Sequence, residues 1–578
     1  MTRSRIVSSI AIAIWLVTQP ALAQIKGFRF DLPHYFDPEI ILVDANVQFH
    51  PDLAALWIKA LESDEAEMKE RAAFAFGWSA QRGMKEAKSA LPALIANLSD
   101  KRARVRVAAA RALSILDDKS AAKSLAAAAE SSSLEMAQVV EPVLARWKYE
   151  PFAERWRSRL RKPIDSQSRT VLAMRGAAAL NLAEVKPELL KLVGDRSAAP
   201  VIRLEAASNV AVFYGDDVLR RAQALRQASR LGELTAAKML RHAEESAKDE
   251  LLLLAKSKEN GAAIEALWRL TELNPDWVLP IAKVKIAEGD SLVRRIVCQA
   301  LVERPNHPDS IRLLCARLDD AHPVNRNYVR ESLFKLCEDE KLKGQIIAES
   351  RQYLTGGWRG IEQAVRLQTD LDQKDNAARF VELLTHERAE VYIAAAWGLR
   401  QLAVEDSLAD VLKVAIQRYD SASTSGTALE IDEQISHLCY YFGQHAYKPA
   451  VPFLTRFIPK SYDLVISRAT AIWAFGVIYK GDPNRQIADQ LIGRLNDVNP
   501  QVPETPSVRR FSALTLARMN ARFALPALRE FRDLEGVNSE VGQACAYAIK
   551  MLTGEDFELP KPAISYYQNF FLEPLPRN

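Results

Sequence analysis

The sequence predicts an all-α solenoid, a stack of paired helices. Three observations carry this. One phrase recurs along the chain: 105–113 (VRVAAARAL) returns at 293–301 (VRRIVCQAL), 391–399 (VYIAAAWGL), 508–516 (VRRFSALTL) and 541–549 (VGQACAYAI). Self-similarity at roughly 30–40 residues marks repeat architectures. Ahead of the phrase lies a shorter segment whose apolar residues also fall at helical spacing. The phrase itself is rich in alanine, which combines high helix propensity with close helix–helix approach. Neither helix buries its apolar stripe alone, so each pair depends on its neighbours.

Taken in order, residues 1–23 stand outside this pattern. Arg3 and Arg5 make a short basic region, 6–17 is mostly apolar, and Ala21-Leu22-Ala23 is a small-x-small site. This predicts an export signal cleaved after Ala23 and a periplasmic or secreted mature chain. The apolar run is shorter than the ~20 residues that span a bilayer, and Gln19-Pro20 interrupts its end. No cysteine follows the cleavage site and no later segment is continuously apolar, so neither a lipid anchor there nor a transmembrane segment after cleavage is expected.

Residues 24–50 intersperse Phe28, Phe30, Tyr35, Phe36 and Phe49 with Asp31, Pro33, Asp37 and Pro38. An irregular aromatic cap shielding the first helix pair is expected, as a solenoid end requires. The alternative is an aromatic docking strip. Residues 51–555 form the repeat array. At 90–116, Pro92 sits in a first turn, where its missing N–H is harmless. Ser99-Asp100-Lys101 then breaks the run. A second helix follows from about Ala103, with Val105, Ala108, Ala109, Ala112, Leu113 and Leu116 on one face. Strong copies lie at 91–116, 187–214, 278–303, 377–402, 449–478, 487–519 and 524–552. Weaker ones fill 51–80, 169–185, 262–273 and 309–337, while 121–165, 217–260 and 341–375 match only loosely. A unit of about 37 residues leaves room for about 14–15 repeats.

Two interruptions are expected to project. Residues 420–427 are small and polar; 498–506 are Pro-rich, hence extended and stiff. Insertions in repeat arrays often lie on the binding face. Gly554 stops the last helix. Tyr566, Tyr567, Phe570 and Phe571 then lead into a tail, 556–578, expected to fold back as a second cap.

The Leu/Pro-rich first helix, an Asp in the turn and Val-Arg-x-x-Ala-Ala-x-Ala-Leu resemble the HEAT repeat family, including the HEAT-like repeats of phycobilisome lyases. The resemblance covers most of 50–555. It implies a right-handed superhelix of stacked helix pairs, with the second helices on the concave side. Trp78, Tyr392 and Trp397 lie on such helices and are the expected binding surface. Asp100 with Arg106, Asp195 with Arg203, Asp290 with Arg294 and Asp497 with Arg509 recur in phase with the repeat. A feature repeated in every unit is structural. The resemblance implies that these residues form a hydrogen-bonded ladder between neighbouring turns.

Charge excludes little except nucleic acid. The formal charge of +4 falls to about +2 once Arg3 and Arg5 are removed, near neutral for this length. Arg155, Arg157, Arg159, Arg161 and Lys162 form a local basic cluster, read as a solvated helix face, or else as a patch for an acidic protein or anionic envelope polymer. Five widely spaced cysteines, with no C-x-x-C pair, are expected to be buried free thiols. A disulfide among Cys298, Cys315 and Cys337 is the alternative. At 432–445, Asp432, Glu433, His437, Cys439, Tyr440, Tyr441 and His445 lie close together. Glu433 and His437 share a helix face, but a metal needs three or four converging ligands. Glu433, His437 and His445 are therefore weak metal candidates, and structural histidines are the expectation.

Two enzyme classes come with the resemblance, bilin lyases and the di-iron deoxyhypusine hydroxylases. The hydroxylases hold iron with repeated His-Glu pairs, and here there is one such dipeptide, His386-Glu387. No nucleophile elbow, zinc-protease or phosphate-loop motif is present. The expected function is an exported, non-catalytic scaffold without cofactor, binding one or more proteins of the envelope or secreted space. The alternatives are an accessory subunit positioning a redox or carbohydrate-active enzyme, or an enzymatic lyase or hydroxylase relative.

Overall fold

A computed structural model of the chain describes residues 33–38, 40, 46–130, 133–536, 539–556, 564–567 and 571–572. The expected export signal, Phe28, Phe30 and Phe570 lie outside these residues. The described α-helices form fifteen consecutive pairs, from Leu53–Glu62 with Ala66–Gln81 to Leu525–Glu535 with Glu540–Thr553. The strong copies coincide with such pairs, for example Leu91–Asn97 with Ala103–Leu116 and Ala377–Leu383 with Ala389–Leu402. The loosely matched segments are also paired, as in Ala122–Glu130 with Leu134–Arg146 and Glu340–Arg351 with Trp358–Asp370. The fold is an all-α solenoid, save for one parallel pair of three-residue strands among the described residues, β1 (Asn46–Gln48) and β2 (Ile564–Tyr566). No described helix is long and apolar enough to cross a membrane.

Contacts divide the chain into two units. One comprises the described residues of 45–314 together with those from 564 onward. The other comprises 315–563 together with the described residues before 45. In each, the second helices pack on one another and on their own first helices. The alanine strings form that seam: Ala73, Ala109, Ala110, Ala395 and Ala396 are all buried. The five cysteines are free and buried; burial pushes the Cys545 thiol up to about 12.

Among the described residues, seven of the junctions between repeats share one recurring turn. Second helices end on a left-handed residue at Asp117, Lys148, Asn181, Asp372, Ala403, Ala446 and Asn520, with φ between 46° and 57°. A short 3-10 turn then enters the next first helix, as in Lys119–Ala121 and Glu405–Ser407. The left-handed residue reverses the chain and satisfies a terminal carbonyl, Asp117 N–H donating to Leu113 O and Ala403 N–H to Leu399 O.

The Asp/Arg pairs are arranged differently from the expected ladder between turns. The guanidinium of the second helix clasps carbonyls at the end of its own first helix. Arg106 donates to Asp100 O at 2.8 Å, Arg203 to Val193 O at 3.3 Å, Arg294 to Gly289 O at 2.6 Å and Arg509 to Leu495 O at 3.0 Å. Asp100, Asp195 and Asp290 accept from backbone N–H groups two residues on, at Arg102, Ser197 and Leu292. Contacts to the neighbouring repeat come from Lys69 with Asp100 at 3.1 Å, Lys460 with Asp497 at 2.9 Å and, among these four arginines, Arg509 with Glu535 at 2.5 Å. Helix ends leave carbonyls and N–H groups unsatisfied, and a nearby side chain meets them at less entropic cost than a distant one.

The first interruption is not a loop, and the second is exposed over 498–503 but anchored. Residues 420–425 continue the helix Leu408–Ser425, which stops at the left-handed Gly426. The Pro-rich segment is tied down: Glu504, fully buried, takes a bidentate pair from Arg468 at 2.9 and 2.6 Å, and Pro503 O accepts from Tyr462 Oη at 2.8 Å. Arg468 also donates to Phe457 O and Ser461 O. A buried charge demands a partner, and that demand anchors the end of the loop.

Candidate functional site

Four second helices of the 315–563 unit lie side by side: Ala389–Leu402, Asp432–Gln444, Val465–Ile478 and Pro506–Arg518. Gly443 permits the close approach of the middle two. A Cβ there would lie 2.5 Å from the Trp473 ring and 3.0 Å from Ala474 Cα. Trp473 thereby stacks flat on Tyr440, with centroids 4.3 Å apart and planes 6° apart. Arg400 lies over the other partner of that stack, Tyr440. Ser436 and Thr470 hydroxyls meet at 2.8 Å.

The 3-10 turn Pro33–Phe36 and Asp37 occupy this face. Asp37 is gripped at both oxygens: Trp473 Nε1 donates to Oδ2 at 2.8 Å and Arg518 to Oδ1 at 2.6 Å. Arg510 donates to Tyr35 O at 3.0 Å and lies over the Tyr35 ring. Tyr35 meets Phe511 edge-on at 5.2 Å. His34 is 1% exposed, against Phe511 and within 3.4 Å of Thr470 Oγ1. Burial, then Arg400 and Arg510, push its imidazole down to about 3, so it docks neutral. Phe36 points outward, 69% exposed.

Residues 33–37 therefore do not shield the first helix pair. Phe49 does contribute there, beside Trp78 and Tyr567, with centroids at 6.2 and 4.6 Å. The described residues of the tail from Ile564 onward likewise pack away from the last helix, in the unit of 45–314. Strand β2 pairs with β1, and Phe571 O accepts from Trp57 Nε1 at 2.5 Å. Residues 33–37 and the described tail residues thus find partners on helices distant in sequence, while Phe49 packs on the neighbouring pair.

The expected binding residues are dispersed. Trp78 is covered by Phe49, Tyr567 and the Arg82 guanidinium 3.5 Å over its ring. It borders a cleft of about 880 Å³ shared with Phe74, Ile115 and Phe571. Tyr392 is 5% exposed; its hydroxyl donates to Glu430 O and Arg418 covers its ring. Trp397 is half-buried. Of the metal candidates, His437 is fully buried, and neither ring nitrogen has a hydrogen-bond partner among the described residues. Burial, then Arg400 and His34, hold its imidazole well below the usual range. His445 faces Glu405 at 3.6 Å and the Tyr441 ring, and Glu433 is half-buried. No three His, Cys, Asp or Glu side chains converge in a metal-holding group among the described residues. The 155–162 arginines are paired, Arg155 with Glu130, Arg157 with Glu184, Arg159 with Glu141 and Arg161 with Glu188, so the cluster is not a bare cationic patch.

Sequence reasoning singled out Tyr35, Asp37 and Tyr440 but not Trp473, Arg510 or Arg518, which look like any packing residues of a repeat. The usable signal was the aromatic–acidic composition of 28–37, which predicts an acceptor without locating it.

Residues 54–142 match the family model described as HEAT repeats. No curated protein matches the chain. Among solved structures, importin beta in an ammonium sulfate condition is similar over 87% of this chain and 72% of its own, at 13% identity and a TM-score of 0.44. Yeast importin-beta (Kap95p) is similar over 86% and 72%, at 12% identity and a TM-score of 0.43. Kap121p is similar over 87% and 79%, at 12% identity and a TM-score of 0.37.

Proposed function

We propose that this chain is an exported, non-catalytic scaffold that binds proteins of the cell envelope or secreted space through the second-helix groove of Tyr440, Trp473, Arg510 and Arg518. One observation carries the reading: that groove already holds a peptide, residues 34–37, by backbone, ring and carboxylate contacts together. Aromatic and arginine side chains in a desolvated centre, with exposed surroundings, are the composition of binding hot spots. Export is supported by the basic, apolar and small-x-small succession of residues 3–23.

The test is crosslinking in the native cells, purification of the tagged chain and mass spectrometry of what accompanies it. A stoichiometric protein partner is expected, its capture reduced at least about tenfold by Trp473→Ala with Arg518→Ala, since hot-spot truncations cost ≥ 2 kcal/mol. A chain that carries no protein but holds a metal or chromophore would overturn the scaffold. Capture unaffected by the double variant would overturn the groove. Export is checked by N-terminal sequencing: a mature chain beginning at Gln24 is expected, and one retaining residues 2–23 overturns it.

A further inference from the structure

We infer that residues 34–37 are a built-in stand-in for a partner's peptide: the groove recognises a segment folded as a 3-10 turn with an aromatic side chain two positions before a carboxylate, and the chain's own Tyr35-Phe36-Asp37 covers it until displaced. This rests on the groove being the binding site.

The groove demands a ligand of that chemistry. Without Asp37, the Trp473 indole N–H (3% exposed) and the Arg518 guanidinium lose the carboxylate they share. Without Tyr35, Arg510 loses both a carbonyl and a ring face. A planar cation and an indole N–H on the two oxygens of one carboxylate fix its position and orientation. Arg510 then measures the distance back to an aromatic residue and to a backbone carbonyl. These are the marks of peptide recognition, an anchor side chain plus main-chain contact.

The resident segment also fits imperfectly. Phe36 is left 69% exposed. His437 lies one helical turn before Tyr440, and its two buried nitrogens have no hydrogen-bond partner among the described residues. His34 meets the floor only at 3.4 Å, on Thr470. A tethered occupant tolerates such defects, because an intramolecular contact does not pay the association entropy that a free peptide pays.

The experiment uses the full chain and a fluorescently labelled peptide of residues 33–40, read by anisotropy. In Tyr35→Ala with Asp37→Ala, the peptide is expected to bind at least about tenfold tighter than to the unaltered chain. Adding Trp473→Phe and Arg518→Ala is expected to abolish binding. No binding to the emptied groove, with helical circular dichroism unchanged, overturns the inference, as does equal binding to emptied and unaltered chains. Should the emptied variant fail to fold, hydrogen exchange of 33–38 in the unaltered chain decides. Millimolar peptide is expected to accelerate it, and unchanged exchange overturns the inference. Failure here alongside partner capture that still depends on Trp473 and Arg518 would sink the peptide chemistry and leave the scaffold standing.

Discussion

At the residue scale, two positions matter more than their sequence neighbourhood reveals. Glu504 sits in a Pro-rich connection, yet it is fully buried against Arg468. Burial raises its carboxyl, but Arg468, the Thr505 N–H and Arg494 outweigh that and hold it below the usual carboxylate range. A carboxyl lowered in the folded state stabilises above its unfolded pKa, and that stabilisation is lost as pH falls through the folded value. Glu504→Gln should cost about 3–5 kcal/mol at neutral pH, the loss typical of unpairing one buried partner, and should cost little in acid. Hydrogen-exchange protection of Val465–Ile478 and Pro506–Arg518 at both pH values measures this; an equal loss at both would show that packing, not charge, holds the loop. Gly443→Ala forces a methyl against Trp473 and Ala474. About 1–3 kcal/mol of overpacking is expected, together with faster exchange at 33–38 as Trp473 shifts. Unchanged exchange there would detach Trp473 from the hold on Asp37.

At the element scale, a repeat can close on itself. In several repeats the second helix's arginine satisfies its partner helix's carbonyl end, and at several junctions a left-handed residue turns the chain into the next repeat. Helical periodicity was enough to find the pairs, and even loosely matched segments obeyed it. The side-chain partners were not legible, because Asp and Arg at one spacing suit either a ladder or a clasp. Alanine is strained in the left-handed region by roughly 1–2 kcal/mol, and Ala403 and Ala446 both occupy it. Ala403→Gly should therefore stabilise its unit by up to about 1 kcal/mol after the glycine's greater unfolded entropy is deducted. A lower thermal midpoint in the variant would mean the Ala403 methyl contributes packing that outweighs the strain.

At the scale of the whole molecule, the chain's ends serve helices remote in sequence. Residues 33–37 contact positions some 436 to 481 residues further on. The tail joins the unit built from 45–314, through β2 and Phe571. Truncation after Asp556 should reduce hydrogen-exchange protection of Leu53–Glu62 and Ala66–Gln81 by about 1–3 kcal/mol, as buried Trp57 loses its acceptor. Protection of Glu540–Thr553, the adjacent helix, should not change. The opposite pattern would restore the tail to a local capping role.

By itself, the sequence determined the all-α paired-helix solenoid, the placement of most repeats, the burial of the alanine seam and the presence of aromatic end segments needing cover. Those are properties of short-range periodicity and composition, and a repeat writes them many times over. Only the tertiary structure decided where Tyr35 and Asp37 dock, that Trp473, Arg510 and Arg518 receive them, that Glu504 anchors the end of its loop, and that Trp78 and Tyr392 are covered. Each of these turns on one unrepeated contact between residues far apart in the chain. No local pattern encodes such a contact, because the acceptor residues satisfy the repeat's packing rules equally well without it.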